Sequence, residues 1–355
     1  MKLLDKRNKN NLFLFGLFCV ILLGIIGYSL HNQQSSQILK DLLNTDNLND
    51  IEDQGAQENL DDADGKMANP LPGIICWGDS LTAGAGGEGV TFPLVLAKSI
   101  SDNYADIPVV NCGVGGEDTN TIIGRAGGVP FVTTEKMTIP ANTSQVVINF
   151  ASANGAPVAP LKQGDCGINP VNISGVEGYL LKSQEKTDSG DYVYMFSRGV
   201  EGDPVQIESG EIIVTSATVQ YENYISVIFI GQNGGWSDPE DLIAQQMSII
   251  NNNHYDQEKF IILGLTSGNE KDRTELETAL SEYYGDKFIN LRQYLSSNGM
   301  NDAGLVPTEQ DLEAMKIGSV PPSLLSDAVH LNAYGYTLIG NLVYERIREL
   351  FFFEQ

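Results

Sequence analysis

Short runs of almost unbroken aliphatic residues are the strongest constraint on how this chain folds. Residues 73–77, 107–114, 224–230 and 259–266 carry too few polar side chains to leave one face in water. Strands that are apolar on both faces belong inside a parallel sheet. Between and after them lie stretches with helical length and period: 92–100, 238–253 with Pro239 near its first turn, and the charged stretch 270–284. Residues 288–294 read as a fifth strand, and 332–352 as a long amphipathic helix that closes the chain. Alternation of this kind predicts an α/β domain with a parallel sheet covered on both faces.

One region breaks the rhythm. From 125 to about 221 no helical period is visible. Short alternating runs at 145–150, 192–196 and 210–214 are separated by Gly, Pro, Asn and Ser. That pattern predicts a small antiparallel β unit inserted at 125–221 into a domain made of 70–124 and 222–355.

The N-terminus has a different character. Residues 12–30 are apolar apart from Gly, Ser, Tyr and Cys, and Lys2, Lys6, Arg7 and Lys9 precede them. Nineteen residues at about 1.5 Å each span roughly 28 Å, enough for a hydrocarbon core. The positive-inside bias then predicts a cytoplasmic basic tail at 1–11, a single transmembrane signal anchor at 12–30, and the rest of the chain outside the cell membrane. The competing expectation is a cleaved signal peptide and a secreted protein; no small-x-small site stands near 28–35, and Phe18 occupies the position before Cys19 where a lipoprotein needs a small residue. Residues 31–69 are polar, and 41–65 hold nine acids and no base, the composition of a solvated, disordered tether.

Charge and composition exclude several functions. With 46 Asp+Glu against 21 Lys+Arg the formal charge is −25, the wrong sign for a nucleic-acid partner. Four Cys without paired spacing and three His leave little material for a disulfide scaffold or a metal site. No metal site built on Cys or His is therefore expected; no cofactor is expected either.

Chemistry collects at the ends of the expected strands, where parallel α/β sheets bind their ligands. Ser80 follows the first strand within Gly78-Asp79-Ser80-Leu81. A serine there often only caps a helix; as a nucleophile it needs a base and oxyanion donors. Asp327-Ala-Val-His330, just before the last helix, offers an imidazole with a carboxylate one turn away. His31 and His254 lie in poorer settings. The glycine-rich stretch 111–119 after the second strand could donate a backbone N–H, and Gly231-Gln232-Asn233-Gly234 after the third a side-chain N–H.

These four ordered blocks resemble the GDSL-type esterases and lipases of the SGNH hydrolase superfamily. The resemblance implies a flavodoxin-like three-layer fold and metal-free ester hydrolysis. It implies Ser80, His330 and Asp327 as catalytic residues, and an oxyanion hole built from Ser80, Gly116 and Asn233. Gly234 stands where the family's third block usually has Asp. Some extracytoplasmic carbohydrate esterases of this superfamily carry an added β module. By that analogy the expected substrate is an acylated glycan, most simply an O-acetylated cell-wall or other polysaccharide. The alternatives are a lipid or thioester hydrolase of the same superfamily, or a tethered glycan-binding protein with a vestigial esterase core.

Asp79 and Trp236 are further candidates for the substrate pocket. Gly84-Ala-Gly86-Gly-Glu-Gly89 has the spacing of a dinucleotide loop but does not directly follow the strand, so it reads as a flexible loop beside the pocket. Cys76 and Cys112 sit on strands expected to be neighbours. They read as two buried thiols, with a cross-strand disulfide as the alternative outside the cell; Cys166 reads as unpaired.

Overall fold

The computed structural model describes residues 72–164 and 166–353. The expected basic tail, anchor and tether at 1–69 lie outside these. Among the described residues no helix is long and apolar enough to cross a membrane.

The fold is mixed α/β. Strand β1 (Ile74–Gly78) leads into the single turn α1 (Ser80–Ala83) and helix α2 (Phe92–Asn103); β2 (Val109–Gly113) leads into α3 (Thr119–Arg125). The chain then builds nine short strands: β3 (Phe131–Thr133), β4 (Met137–Ile139), β5 (Val146–Val147), β6 (Phe150–Ser152), β7 (Val171–Ile173), β8 (Val176–Lys186), β9 (Tyr192–Arg198), β10 (Val205–Ile207) and β11 (Ile212–Thr215). After α4 (Ser216–Gln220) the first pattern resumes with β12 (Ile225–Phe229), α5 (Pro239–Asn251), β13 (Phe260–Leu263), α6 (Glu270–Tyr284) and β14 (Phe288–Ile289). Four helices finish the chain: α7 (Leu291–Ser297), α8 (Gly299–Asp302), α9 (Glu309–Lys316) and α10 (Ala333–Glu349).

Five strands pair in parallel in the order β14-β13-β12-β1-β2. Counting only these five along the chain, the order is 2-1-3-4-5, which reverses direction between β1 and β12. A crevice opens at such a reversal, beyond the carboxyl ends of the strands. On one face Ile75, Trp77, Ile228 and Ile262 pack against Ile122 and Ile123 of α3, Leu242 and Ile249 of α5, and Leu276 and Leu280 of α6. On the other, Phe92 of α2 meets Phe229 edge-on. β1 and β12 are buried at every position, which explains the aliphatic runs.

Residues from β3 to β11 form a seven-stranded antiparallel sheet, β5-β9-β8-β7-β11-β3-β6, beside the pair β10-β4. They have a core of their own around Phe131, Ile173, Leu180, Phe196 and Ile213. β8 alternates buried and exposed over its first five residues, as a strand with one wet face should.

Two expectations need correction. The fifth strand stops at Ile289 rather than 294, because the Asn290 side chain accepts from Gln293 N–H and starts a helix that buries Leu291 and Leu295 one turn apart. Register also removes the Cys76–Cys112 disulfide. Trp77, not Cys76, is level with Cys112, while Cys76 is level with Asn111. Side chains alternate along a strand, so the two thiols leave opposite faces of the sheet.

Candidate active site

Ser80 stands directly beyond the carboxyl end of β1. Asp79 Oδ1 accepts the Leu81 N–H at 2.9 Å and caps α1. Ser80 is then the first residue of a helical turn, where backbone N–H groups have no partner within the helix. Its side chain is half-buried, and its Oγ lies 3.0 Å from His330 Nε2.

The imidazole is held by a short closed loop. Leu325 and Leu331 form an antiparallel bridge, and Ser326 N–H donates to the His330 carbonyl at 2.9 Å. Within the loop Asp327 Oδ1 accepts the His330 and Val329 N–H groups, both at 2.8 Å, while Oδ2 lies 2.8 Å from His330 Nδ1. The His330 N–H, the imidazole and the Val329 N–H, in that order, hold the Asp327 carboxyl below the usual carboxylate range. A carboxylate at Nδ1 requires the ring proton there and turns the Nε2 lone pair toward Ser80. Because Asp327 is 56% exposed, its effect is orientation by hydrogen bonds more than a buried charge.

Two neighbours brace this loop. The glycine-rich stretch at 84–89 packs directly on it: a Cβ on Gly86 would fall 1.9 Å from Ser326 Oγ and 2.9 Å from the Leu331 carbonyl, and φ there is +82°. Tyr336 Oη donates to the adjoining Ala85 carbonyl at 2.7 Å. The dinucleotide-like spacing therefore permits a close approach between segments. Upstream, the buried Asp311 carboxylate accepts from the N–H and hydroxyl of Thr308 and of Ser323. The Thr308-x-x-Asp311 capping box was a readable signal for α9.

Gly116 and Asn233 lie on adjoining loops. The backbone before Gly116 packs on the serine, since a Cβ on Gly115 would sit 3.5 Å from Ser80 Cβ. Gly116 is exposed, with φ at +85°. Asn233 Nδ2 donates to the Glu117 carbonyl at 3.1 Å and makes a longer contact, 3.4 Å, with Asp79 Oδ2. Trp236, a candidate for the substrate pocket, is partly buried against the hydrophobic core and donates from Nε1 to the Gly231 carbonyl at 2.9 Å. Asp79 is 1% exposed and acts from beneath, through the cap and the Asn233 contact.

Sequence reasoning missed Glu117 and Arg125. Their side chains are fully buried, with Arg125 Nε 3.0 Å from Glu117 Oε2. Arg125 Nη1 also donates to the Cys112 and Cys166 carbonyls, and Glu117 Oε1 accepts the Leu161 N–H. An acid and a base eight residues apart carry no periodic signal; only the burial of α3 reveals the pair.

A cavity of about 330 Å³ opens beside Gly116, between this loop and the β8–β9 hairpin. Asp118, Thr121, Leu161, Lys186, Asp191 and Tyr192 contribute to its wall; Asp79 and Trp236 do not. A larger cavity of about 650 Å³, between α6, α7 and residues 315–318, includes none of the candidate site residues. Among the described residues no group of three or more His, Cys, Asp or Glu is placed to hold a metal ion.

Asp79 yields a pH prediction. Burial pushes its carboxyl up to about 6; Glu117 adds to the rise, while the Leu81 N–H and His330 oppose it. An unfolded aspartate titrates near 3.9. The folded state thus holds the proton more tightly, which stabilises it below about pH 4, and this contribution is lost as pH rises through about 6. The shift corresponds to about 3 kcal/mol. Asp79→Asn, which keeps the cap, is expected to flatten the fall in urea midpoint between pH 4 and 6.5; an unchanged fall would show that Asp79 is not its source.

No family model matches the chain, and no curated protein matches it. A solved structure named "Peptidoglycan O-acetylesterase in action, 5 min" aligns at 15% identity over 79% of this chain and 91% of that chain, with a TM-score of 0.32. So loose a likeness carries no argument here.

Proposed function

We propose that this protein is a serine esterase of the SGNH type that removes acyl groups, chiefly acetyl, from a polysaccharide. The observation that carries the proposal is the continuous line from Asp327 Oδ2 to His330 Nδ1, at 2.8 Å, and from His330 Nε2 to Ser80 Oγ, at 3.0 Å. In the proposed reaction His330 takes the Ser80 proton as Oγ attacks the ester carbonyl, and Asp327 supports the imidazolium that forms. The Ser80 and Gly116 N–H groups and the Asn233 amide stabilise the oxyanion. His330 returns the proton to the departing sugar oxygen, and water, activated by the same base, releases the acid. Asn233 exchanges its long Asp79 contact for the oxyanion and keeps its bond to the Glu117 carbonyl. Asn233→Ala is expected to lower kcat by about 10²–10³-fold with little change in KM; a loss confined to KM would remove Asn233 from the oxyanion hole.

The 2-1-3-4-5 strand order supports a flavodoxin-like core over 70–124 and 222–355, with 125–221 as an inserted module. The basic residues ahead of 12–30 support an anchor with the N-terminus in the cytoplasm and the enzyme outside; cleavage of that segment would instead secrete the enzyme. Ionic, hydroxyl and aromatic groups in the cavity beside Gly116 favour a sugar over an acyl chain, and so an acetylated glycan over a lipid. Acetate release from a panel of acetylated polysaccharides tests this. The expected result is release by the wild type from at least one of them and none by Ser80→Ala. Preference for long-chain esters would favour the lipase alternative. Glycan binding without hydrolysis of any ester would favour the vestigial receptor.

A further inference from the structure

We infer that Cys112 and Cys166 are a disulfide-forming pair that ties the 157–168 segment to the end of β2. The two residues converge from distant parts of the chain. Cys112 is fully buried on the face of the sheet that carries Trp77. Cys166 enters from the loop before β7, half-buried, with a left-handed φ of +55°. One guanidinium nitrogen, Arg125 Nη1, takes both backbones, donating to the Cys112 carbonyl at 3.0 Å and the Cys166 carbonyl at 2.9 Å. Cys166 packs against the core cluster that contains Cys112, and each thiol shifts the other's titration. Disulfides span Cα separations of about 4.4–6.8 Å, and a shared donor nitrogen holds two backbones side by side. Cys76 is excluded because it leaves the opposite face of the sheet.

The chemistry has a defined order. The neighbouring Cys112 thiol draws the Cys166 thiol down to about 6; the Tyr221 hydroxyl, 3.9 Å away, and the charges of Lys162 and Arg125 assist, while burial opposes. Burial pushes the Cys112 thiol far up. Cys166 is therefore the more acidic and the less buried of the two thiols, and it attacks first. The oxidant is a small-molecule or protein disulfide. Cys166 Sγ bonds to one of its sulfurs and the other leaves as a thiol. Cys112 Sγ then loses its proton to solvent and attacks Cys166 Sγ, expelling the second thiol. Two protein thiols are oxidised and one external disulfide becomes two thiols.

The bond would link the strand end below the Gly116 loop to the segment that carries Leu161, a wall of the cavity. This inference is independent of the esterase proposal, and its test reads sulfur rather than activity. The full chain has four cysteines. It is equilibrated with excess oxidised dithiothreitol, alkylated in denaturant and digested with trypsin without reduction. The expected result is a fall from four titratable thiols to two and one linked species joining peptides 99–125 and 163–182. Cys166→Ser is expected to leave Cys112 as a free thiol under the same treatment. Four free thiols, a Cys76–Cys112 link, or links only between chains would overturn the inference. The wild-type map decides the matter even if a variant does not fold.

Discussion

Ser80→Ala is expected to lower kcat/KM toward an aryl acetate by about 10⁴-fold or more. The Ser80 Oγ contact is to His330 Nε2, and the half-buried hydroxyl contributes little packing, so the unfolding midpoint should hardly move. His330→Ala should lose a similar factor. The double variant should lose no more than either single, because in the proposed mechanism nucleophile and base act as one unit. Asp327→Ala should cost less than either, since this carboxylate is 56% exposed and acts by holding the ring. Steady-state kinetics on the four proteins, with circular dichroism to confirm folding, checks the series. Wild-type turnover in Ser80→Ala would end the serine mechanism, and strictly multiplicative losses would end the relay.

Arg125→Met is expected to be the most destabilising substitution near the site, lowering the unfolding free energy by about 3–5 kcal/mol. The guanidinium is wholly buried. Besides Glu117 it serves the Cys112 and Cys166 carbonyls, with a longer 3.5 Å contact to the Gly78 carbonyl. Removing it leaves a buried carboxylate without its ion-pair partner and strips donors from carbonyls on three segments. Arg125→Met combined with Glu117→Leu should recover part of the loss, because neither charge then remains buried alone. Recovery should be incomplete, since Leu161 N–H loses its acceptor. Urea titration of the wild type, both singles and the double gives the coupling. Simple additivity would show that the pair carries no specific interaction. The proposed esterase activity should fall with Arg125→Met as well, because Glu117 follows Gly116 and its carbonyl holds Asn233.

Much of the architecture was legible because it rests on local physics. Aliphatic runs mark strands buried on both faces, and β1 and β12 lie within a residue of where those runs placed them. Helix α6 begins and ends at the residues its pattern indicated. The Asp327–His330 spacing is a property of one turn, and the turn brings the two groups to 2.8 Å. Where local signals were weak the expectations failed. Asn290 outweighed β-prone neighbours by capping a helix, and the capping box at Thr308 passed unread.

The sequence by itself determined the classes of element and the chemical types at the strand ends, because these depend on composition and on neighbours within a few residues. Only the tertiary structure decided that Ser80 meets an imidazole 250 positions away, that Arg125 and Glu117 form a buried brace, and that Cys76 and Cys112 leave opposite faces of the sheet. The physical reason is that strand order and register, set by the summed burial of many side chains, choose which distant groups share a face. No spacing along the chain encodes that choice.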